Sequence, residues 1–305
     1  MKKFILTLLI IASITLIADR MLTTVVKYFY KTTTTTDEYK LNEVMHSMRA
    51  PVIFMGSSRC HHHYVPSIIS DTLKTDVYNA GLWGMRNIYF QYSLLGNILK
   101  RYTPKTIVYE IHPIDYLQTP FSGIETMGVL TPFVGYSSAC DEVLKKAGLY
   151  YKISVSHLYR YNSLFPNLIA GNISSRSNSA DKGLKALTGQ LNTKSQKLKP
   201  EEFPFKIDQQ KLAYLNRFIN VCKQRNIQLI FIYSPMYAVK SETNLFKIPE
   251  SIALKNNILF INNYNMNGIT GHPELFFDYG HLNLEGAKKY SSMVAPQLKR
   301  YIKIK

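Results

Sequence analysis

From Pro51 onward the chain alternates short runs of strand-forming residues with stretches whose apolar side chains recur at helical spacing. The short runs are 52–55, 76–79, 106–111, 227–233 and 258–261. The helical stretches are 66–73, 87–101, 208–225, 241–256 and 284–302, the last with Asn283 as a natural N-cap. Strands separated by helices cannot pair as hairpins. They require a parallel sheet covered by helices on both faces, which makes this an α/β protein. No internal repeat interrupts that order.

A chain of 305 residues is long enough for one large α/β domain or two smaller ones. Apolar residues at 46% and 22 tyrosines exclude a disordered chain. The net charge of +17 suits contact with anionic lipid or polymer. The basic residues are spread out, and no dense Arg/Lys block is interleaved with aromatics, so nucleic acid is not an expected partner. Three cysteines, Cys60, Cys140 and Cys222, fit neither a disulfide framework nor a zinc site.

The first 30 residues read as a membrane element. Lys2 and Lys3 precede an uncharged apolar run over 4–18, and apolar character resumes after Asp19-Arg20. Fifteen residues is short for a span, but a helix through Val26 is long enough if Asp19 and Arg20 sit near an interface. Leu16 spoils the small-residue pattern that cleavage after Ala18 would need, so an uncleaved signal anchor is expected. The flanking lysines orient residues 31–305 outside the cytoplasm, in the periplasm or at the cell surface. Residues 31–50, with the threonine run 32–36, read as a linker, and 51–305 as the α/β domain. The alternation fails over about 117–200, which reads as an insertion able to cover a site.

Two motifs carry chemistry. Gly56-Ser57-Ser58-Arg59 ends the first strand, so Ser58 projects beyond the carboxyl end of the sheet, where α/β proteins bind ligands. The helix that follows offers backbone N–H groups to an anion. Asp278-x-x-His281 lies just before the last helix, a spacing at which the carboxylate reaches one imidazole nitrogen and frees the other to accept a serine proton. Serine, base and orienting acid together are what serine-based acyl transfer requires. Cys60 reads as a small packing residue. His61-His62-His63 is not a metal site, because consecutive histidines cannot converge on one ion. One of them is expected at the mouth of the site, the others facing solvent.

With these residues in place, the chain from about Pro51 resembles the SGNH/GDSL hydrolase superfamily, the insertion excepted. Gly56-Ser57-Ser58 stands where the family has Gly-Asp-Ser, a variant similar to the membrane-anchored alginate O-acetyltransferase and D-alanyl transfer branches. Asn79-Ala80-Gly81-Leu82-Trp83-Gly84 matches the second block. Asp278 and His281 match the fifth. The resemblance implies a flavodoxin-like three-layer sandwich. It also implies a catalytic set of Ser58, His281 and Asp278, with an oxyanion hole from the N–H groups of Ser58 and Gly84, Gly81 being the rival glycine.

The third block departs from the family. Ile114 of His112-Pro113-Ile114-Asp115 stands where an oxyanion asparagine is expected, and an apolar side chain donates no hydrogen bond. Arg59, Asn87 and His112 are the candidates to contact substrate in its place. The resulting expectation is a serine esterase or O-acyltransferase without a cofactor or metal. Its substrate is an acylated glycan or other surface polymer, and a membrane-bound acyl-donor partner is possible. The alternative is a non-catalytic carbohydrate-binding or assembly factor on the same fold.

Overall fold

The computed structural model describes residues 1–34, 37–84, 86–162, 164–173, 181–193, 206–238 and 244–302. It begins with one unbroken helix, α1 (Lys2–Thr32), then α2 (Asp37–His46), β1 (Val52–Gly56), α3 (Ser58–His63), α4 (Pro66–Leu73), β2 (Val77–Asn79), α5 (Ile88–Ile98) and β3 (Thr106–Glu110). The inserted region supplies α6 (Ser138–Lys146), α7 (Tyr150–Val155) and α8 (Phe165–Ile173), with 3-10 turns over Ile124–Phe133 and Leu158–Tyr161. The alternation resumes with α9 (Gln209–Gln224), β4 (Gln228–Tyr233), α10 (Lys247–Asn256), β5 (Leu259–Asn262) and α11 (Leu284–Lys299).

The five strands form one parallel sheet in the order β2-β1-β3-β4-β5. Successive side chains on a strand point to opposite faces, and the core divides accordingly. Ile53, Met55, Ile107, Tyr109 and Phe231 pack with α5 and α9 residues such as Leu94 and Phe218. Val52, Phe54, Val108, Ile230 and Ile232 pack on the other face with Ile69 and Leu73 of α4 and with Tyr290, Val294 and Leu298 of α11. All of these are 2% exposed or less, and each such burial is worth about 1.5–3 kcal/mol. The connection leaving β1 runs to β2 on one side and that leaving β3 runs to β4 on the other, so the winding of the sheet reverses between β1 and β3. A crevice opens beyond the carboxyl ends of strands at such a point.

The segment 31–50 differs from the expected linker. Leu41, Val44 and Met45 of α2 recur at helical spacing and are buried in the core of the α5 face. Tyr78 of β2 donates to Glu43 at 2.7 Å, and Lys40 donates to the Gly81 carbonyl. The spacing of Leu41, Val44 and Met45 is the signal that the threonine run obscured.

The insertion also divides. Its first part packs against α1 and α5. Residues 181–193 cross instead to the face carrying α3 and α11: Lys185 N–H donates to His61 O at 3.2 Å, and Leu284 N–H to Leu187 O at 2.9 Å. Residues 35–36 of the threonine run, 174–180 and 194–200 of the insertion, and 241–243 of the expected helix before β5 lie outside the described residues.

Candidate active site

Ser58 is the first residue of α3, reached from β1 through a turn that tolerates no side chain. Gly56 sits at φ +154, and a Cβ there would lie 2.9 Å from both Cys60 Cβ and Glu110 Cβ. Gly56 pairs with Glu110 across the sheet, so the strand ends pressed against a buried carboxylate. The tight turn lifts Ser58 to the rim of the sheet.

The D-x-x-H turn brings its two residues to the same place from the other end of the chain. His281 Nε2 lies 2.8 Å from Ser58 Oγ, and His281 Nδ1 lies 2.9 Å from each Asp278 oxygen. Asp278 Oδ1 also accepts the backbone N–H groups of Gly280 (2.8 Å) and His281 (2.9 Å), which fixes the turn itself. Burial pushes the Asp278 carboxyl up, but the hydrogen bond and charge of His281, together with those two N–H groups, outweigh it and hold the carboxyl below the usual aspartate range. An ionised Asp278 accepts the Nδ1 proton. Nε2 therefore carries the lone pair and accepts from the Ser58 hydroxyl.

Aromatic rings hold the imidazole on several sides. Trp83, the only tryptophan in the chain, stacks on it with centroids 5.8 Å apart and 27° between planes, and remains 46% exposed. His62 and His63 meet it edge-on at 5.6 and 6.2 Å. None of the three consecutive histidines faces solvent, contrary to the expectation from sequence: all are 1% exposed or less. Each ring makes a hydrogen bond inside the protein, and this draws the run inward. His61 Nδ1 bonds the Gly81 carbonyl at 2.7 Å, and His62 Nδ1 donates to Lys185 O at 2.6 Å. His63 Nε2 accepts the Leu282 N–H at 3.0 Å, which leaves Nδ1 to donate to Ser234 Oγ at 2.8 Å. Burial lowers all three, His62 to about 4, so they are neutral packing groups beside the dyad. Among the described residues no cluster of His, Cys, Asp or Glu is arranged to hold a metal ion.

The geometry separates the two candidate oxyanion glycines. Gly81 N–H is already donated to Asn79 Oδ1 at 3.0 Å, and a Cβ at Gly81 would meet His61 N at 2.5 Å, so this glycine is a close-packing position. Gly84 adopts φ +87, and Ser57 Oγ donates to its carbonyl at 2.6 Å, tying the turn beside Ser58. Among the described residues neither Ser58 N–H nor Gly84 N–H donates to a protein acceptor. Ile114 is 8% exposed and brings no polar group.

Arg59 and Asn87 do not face the crevice. Arg59 is 4% exposed, because its guanidinium turns inward to Glu110 (3.2 Å) and Ser234 Oγ (2.8 Å) and lies over the Tyr233 ring at 4.1 Å. A lone buried guanidinium would be very costly, so its charge is satisfied below Ser58 rather than offered to a ligand. Asn87 caps α5, accepting from Tyr89 N–H and donating to Ser122 O at 2.7 Å, which pins the root of the insertion. His112 is half-buried and stacks on Tyr233 at 6.1 Å and 11°. Burial, with Arg59 and His281 nearby, pushes it well below the usual histidine value. Burial also raises the Cys60 thiol strongly, so it is inert at neutral pH.

Sequence reasoning missed the support beneath the dyad. Glu110 Oε1 accepts both Ser234 N–H (3.0 Å) and Ser234 Oγ–H (2.7 Å), and Tyr64 OH donates to Oε2. The visible signal was position alone, since Glu110 ends β3 and Ser234 directly follows the adjacent strand β4, at the sheet end where Ser58 emerges. No protein-family model matches the chain, and no curated protein matches it.

Proposed function

We propose that the protein is a membrane-anchored serine esterase or O-acyltransferase of the SGNH type, acting on acyl esters, chiefly acetyl, of extracytoplasmic glycans. The observation that carries the reading is the unbroken hydrogen-bonded chain Ser58 Oγ–His281 Nε2, His281 Nδ1–Asp278. Its polarity is the one a nucleophilic serine needs: acid holding base, base accepting from hydroxyl. The strand order, with the nucleophile after β1 and the acid–base pair before α11, supports an SGNH-like sandwich. The glycan class and the orientation across the membrane rest on the resemblance and on the lysines before α1.

In this mechanism Ser58 Oγ attacks the acyl carbonyl as His281 takes its proton. The N–H groups of Ser58 and Gly84 receive the oxyanion. Protonated His281, stabilised by Asp278, then gives its proton to the leaving oxygen. Water or a glycan hydroxyl attacks the acyl-enzyme with His281 again as base. Two donors instead of three cost about 3–4 kcal/mol of transition-state stabilisation, so slow turnover is expected.

Ile114 also favours a second reading, a binding or assembly factor that keeps the fold without turnover. Purified protein incubated with a small acetyl ester separates the two. Release of acetate that Ser58→Ala and His281→Ala abolish supports the enzyme, and wild-type rates in both variants refute the triad. An acyl donor added with a polysaccharide then distinguishes transfer from hydrolysis: free acid alone argues against transfer.

A further inference from the structure

We propose that the insertion carries a membrane-docking surface: α7, beside α1, seats the domain in the headgroup and outer acyl region of the lipid bilayer. The inference rests on the reading of α1 as a membrane span. It goes further in holding the catalytic domain rigidly on the surface instead of leaving it on a flexible tether.

Three observations carry it. The first is that α1 runs without a break from Lys2 to Thr32, and its carboxyl half is fastened to the insertion. Asp19 accepts Ser156 Oγ–H (2.6 Å), His157 N–H (2.9 Å) and Leu158 N–H (3.1 Å). Arg20 donates to Val155 O at 3.4 Å. Further along, Asn172 Nδ2 donates to Phe29 O at 2.8 Å, and Thr34 N–H to Gly171 O at 3.2 Å. Tyr30 is buried edge-on against Phe133 and Tyr161. These contacts fix the angle at which the domain meets the helix.

The second is a length. The uncharged run 4–18 spans about 22 Å at 1.5 Å per residue, whereas a hydrocarbon core is about 30 Å thick. The missing ~8 Å brings the boundary near Thr23-Thr24, past the level at which Arg20 meets Val155. The end of α7 must then lie at or below that boundary. Asp19 tolerates this depth because its carboxylate already has three protein donors.

The third is the chemistry of the surface there. Met21, Leu22 and Val25 on α1 and Tyr151 (75%) and Val155 (70%) on α7 are exposed. Large apolar residues this open suit a lipid surface. Exposed Lys27, Lys31 and Lys152 stand among them, matched to anionic headgroups.

The test uses the full-length chain in phosphatidylcholine/phosphatidylglycerol vesicles containing lipid with brominated acyl chains. In a Trp83→Phe background, single tryptophans are introduced by Val155→Trp, Tyr151→Trp, Ile10→Trp within the span, and Leu254→Trp on α10 beside the opposite edge strand, β5. The expected result is quenching of Val155→Trp and Tyr151→Trp at least twice that of Leu254→Trp. Quenching of Ile10→Trp alone overturns the docking surface and leaves the span intact. Failure of Ile10→Trp and both α7 probes together overturns the span, and the docking surface with it.

Discussion

Asp278→Asn is the substitution that separates orientation of the base from everything else at the site. Asp278 Oδ1 caps the turn by accepting from Gly280 and His281 N–H, and asparagine keeps an oxygen for that position. The amide nitrogen then faces His281 Nδ1, where Oδ2 now lies 2.9 Å away. An NH2 group cannot accept the Nδ1 proton, so the imidazole switches tautomer and carries its proton on Nε2, toward Ser58. A protonated Nε2 cannot accept the serine proton. The analogous change in serine proteases costs about 10⁴ in rate, equivalent to about 5 kcal/mol of barrier. The same loss is expected here in the rate of acetate release from a small acetyl ester. The melting temperature should move by no more than a few degrees, because the turn keeps its cap. A rate within tenfold of wild type in folded Asp278→Asn protein would refute the assignment of Asp278 as the group that orients His281.

Three other perturbations probe the surroundings. Arg59→Met strands the Glu110 carboxylate in the core, at about 3–5 kcal/mol, or on the order of 10 °C in melting temperature. Arg59→Met combined with Glu110→Gln should recover most of that loss, and no recovery in thermal melts would mean the pair is not coupled. Trp83→Ala removes a ring stacked on His281. An aromatic contact worth about 0.5–1.5 kcal/mol implies a 2- to 10-fold lower rate, and an unchanged rate would exclude a positioning role. Asp115 lies buried beneath His112 N–H, and burial pushes its carboxyl up to about 7 from 3.8. The native state therefore holds a proton that the unfolded chain releases, so stability falls as pH rises from about 4 to about 7, by at most about 4 kcal/mol. Asp115→Asn should lack this component: denaturant midpoints of the two proteins should converge at low pH and separate at pH 8, with the variant the more stable.

The sheet was legible in the sequence because parallel strands buried on both faces are short apolar runs, as at 106–111 and 227–233, and helices between them keep their spacing. The cap at Asn283 was legible for the same local reason: its side chain accepts Gly286 N–H at 3.0 Å. Helix α2 was not, because it carries only Leu41, Val44 and Met45 as its apolar stripe and follows a polar run. Ser58, Asp278 and His281 could be named because each sits at a strand end or in a short turn with fixed spacing. What Arg59 and Asn87 do could not be read that way. Their partners, Glu110 and Ser234 for one and Ser122 for the other, are brought to them by tertiary packing, over separations of up to 175 residues. The three histidines misled for the same reason, since a polar run looks exposed until each ring finds its acceptor in the interior.

Intact-mass and peptide mapping after treatment with a serine-directed fluorophosphonate tests the central assignment most directly. A single adduct on Ser58 in the wild-type protein, lost in folded His281→Ala, is the predicted result. No adduct in folded wild-type protein, or an adduct on Ser58 formed equally fast without His281, would contradict it.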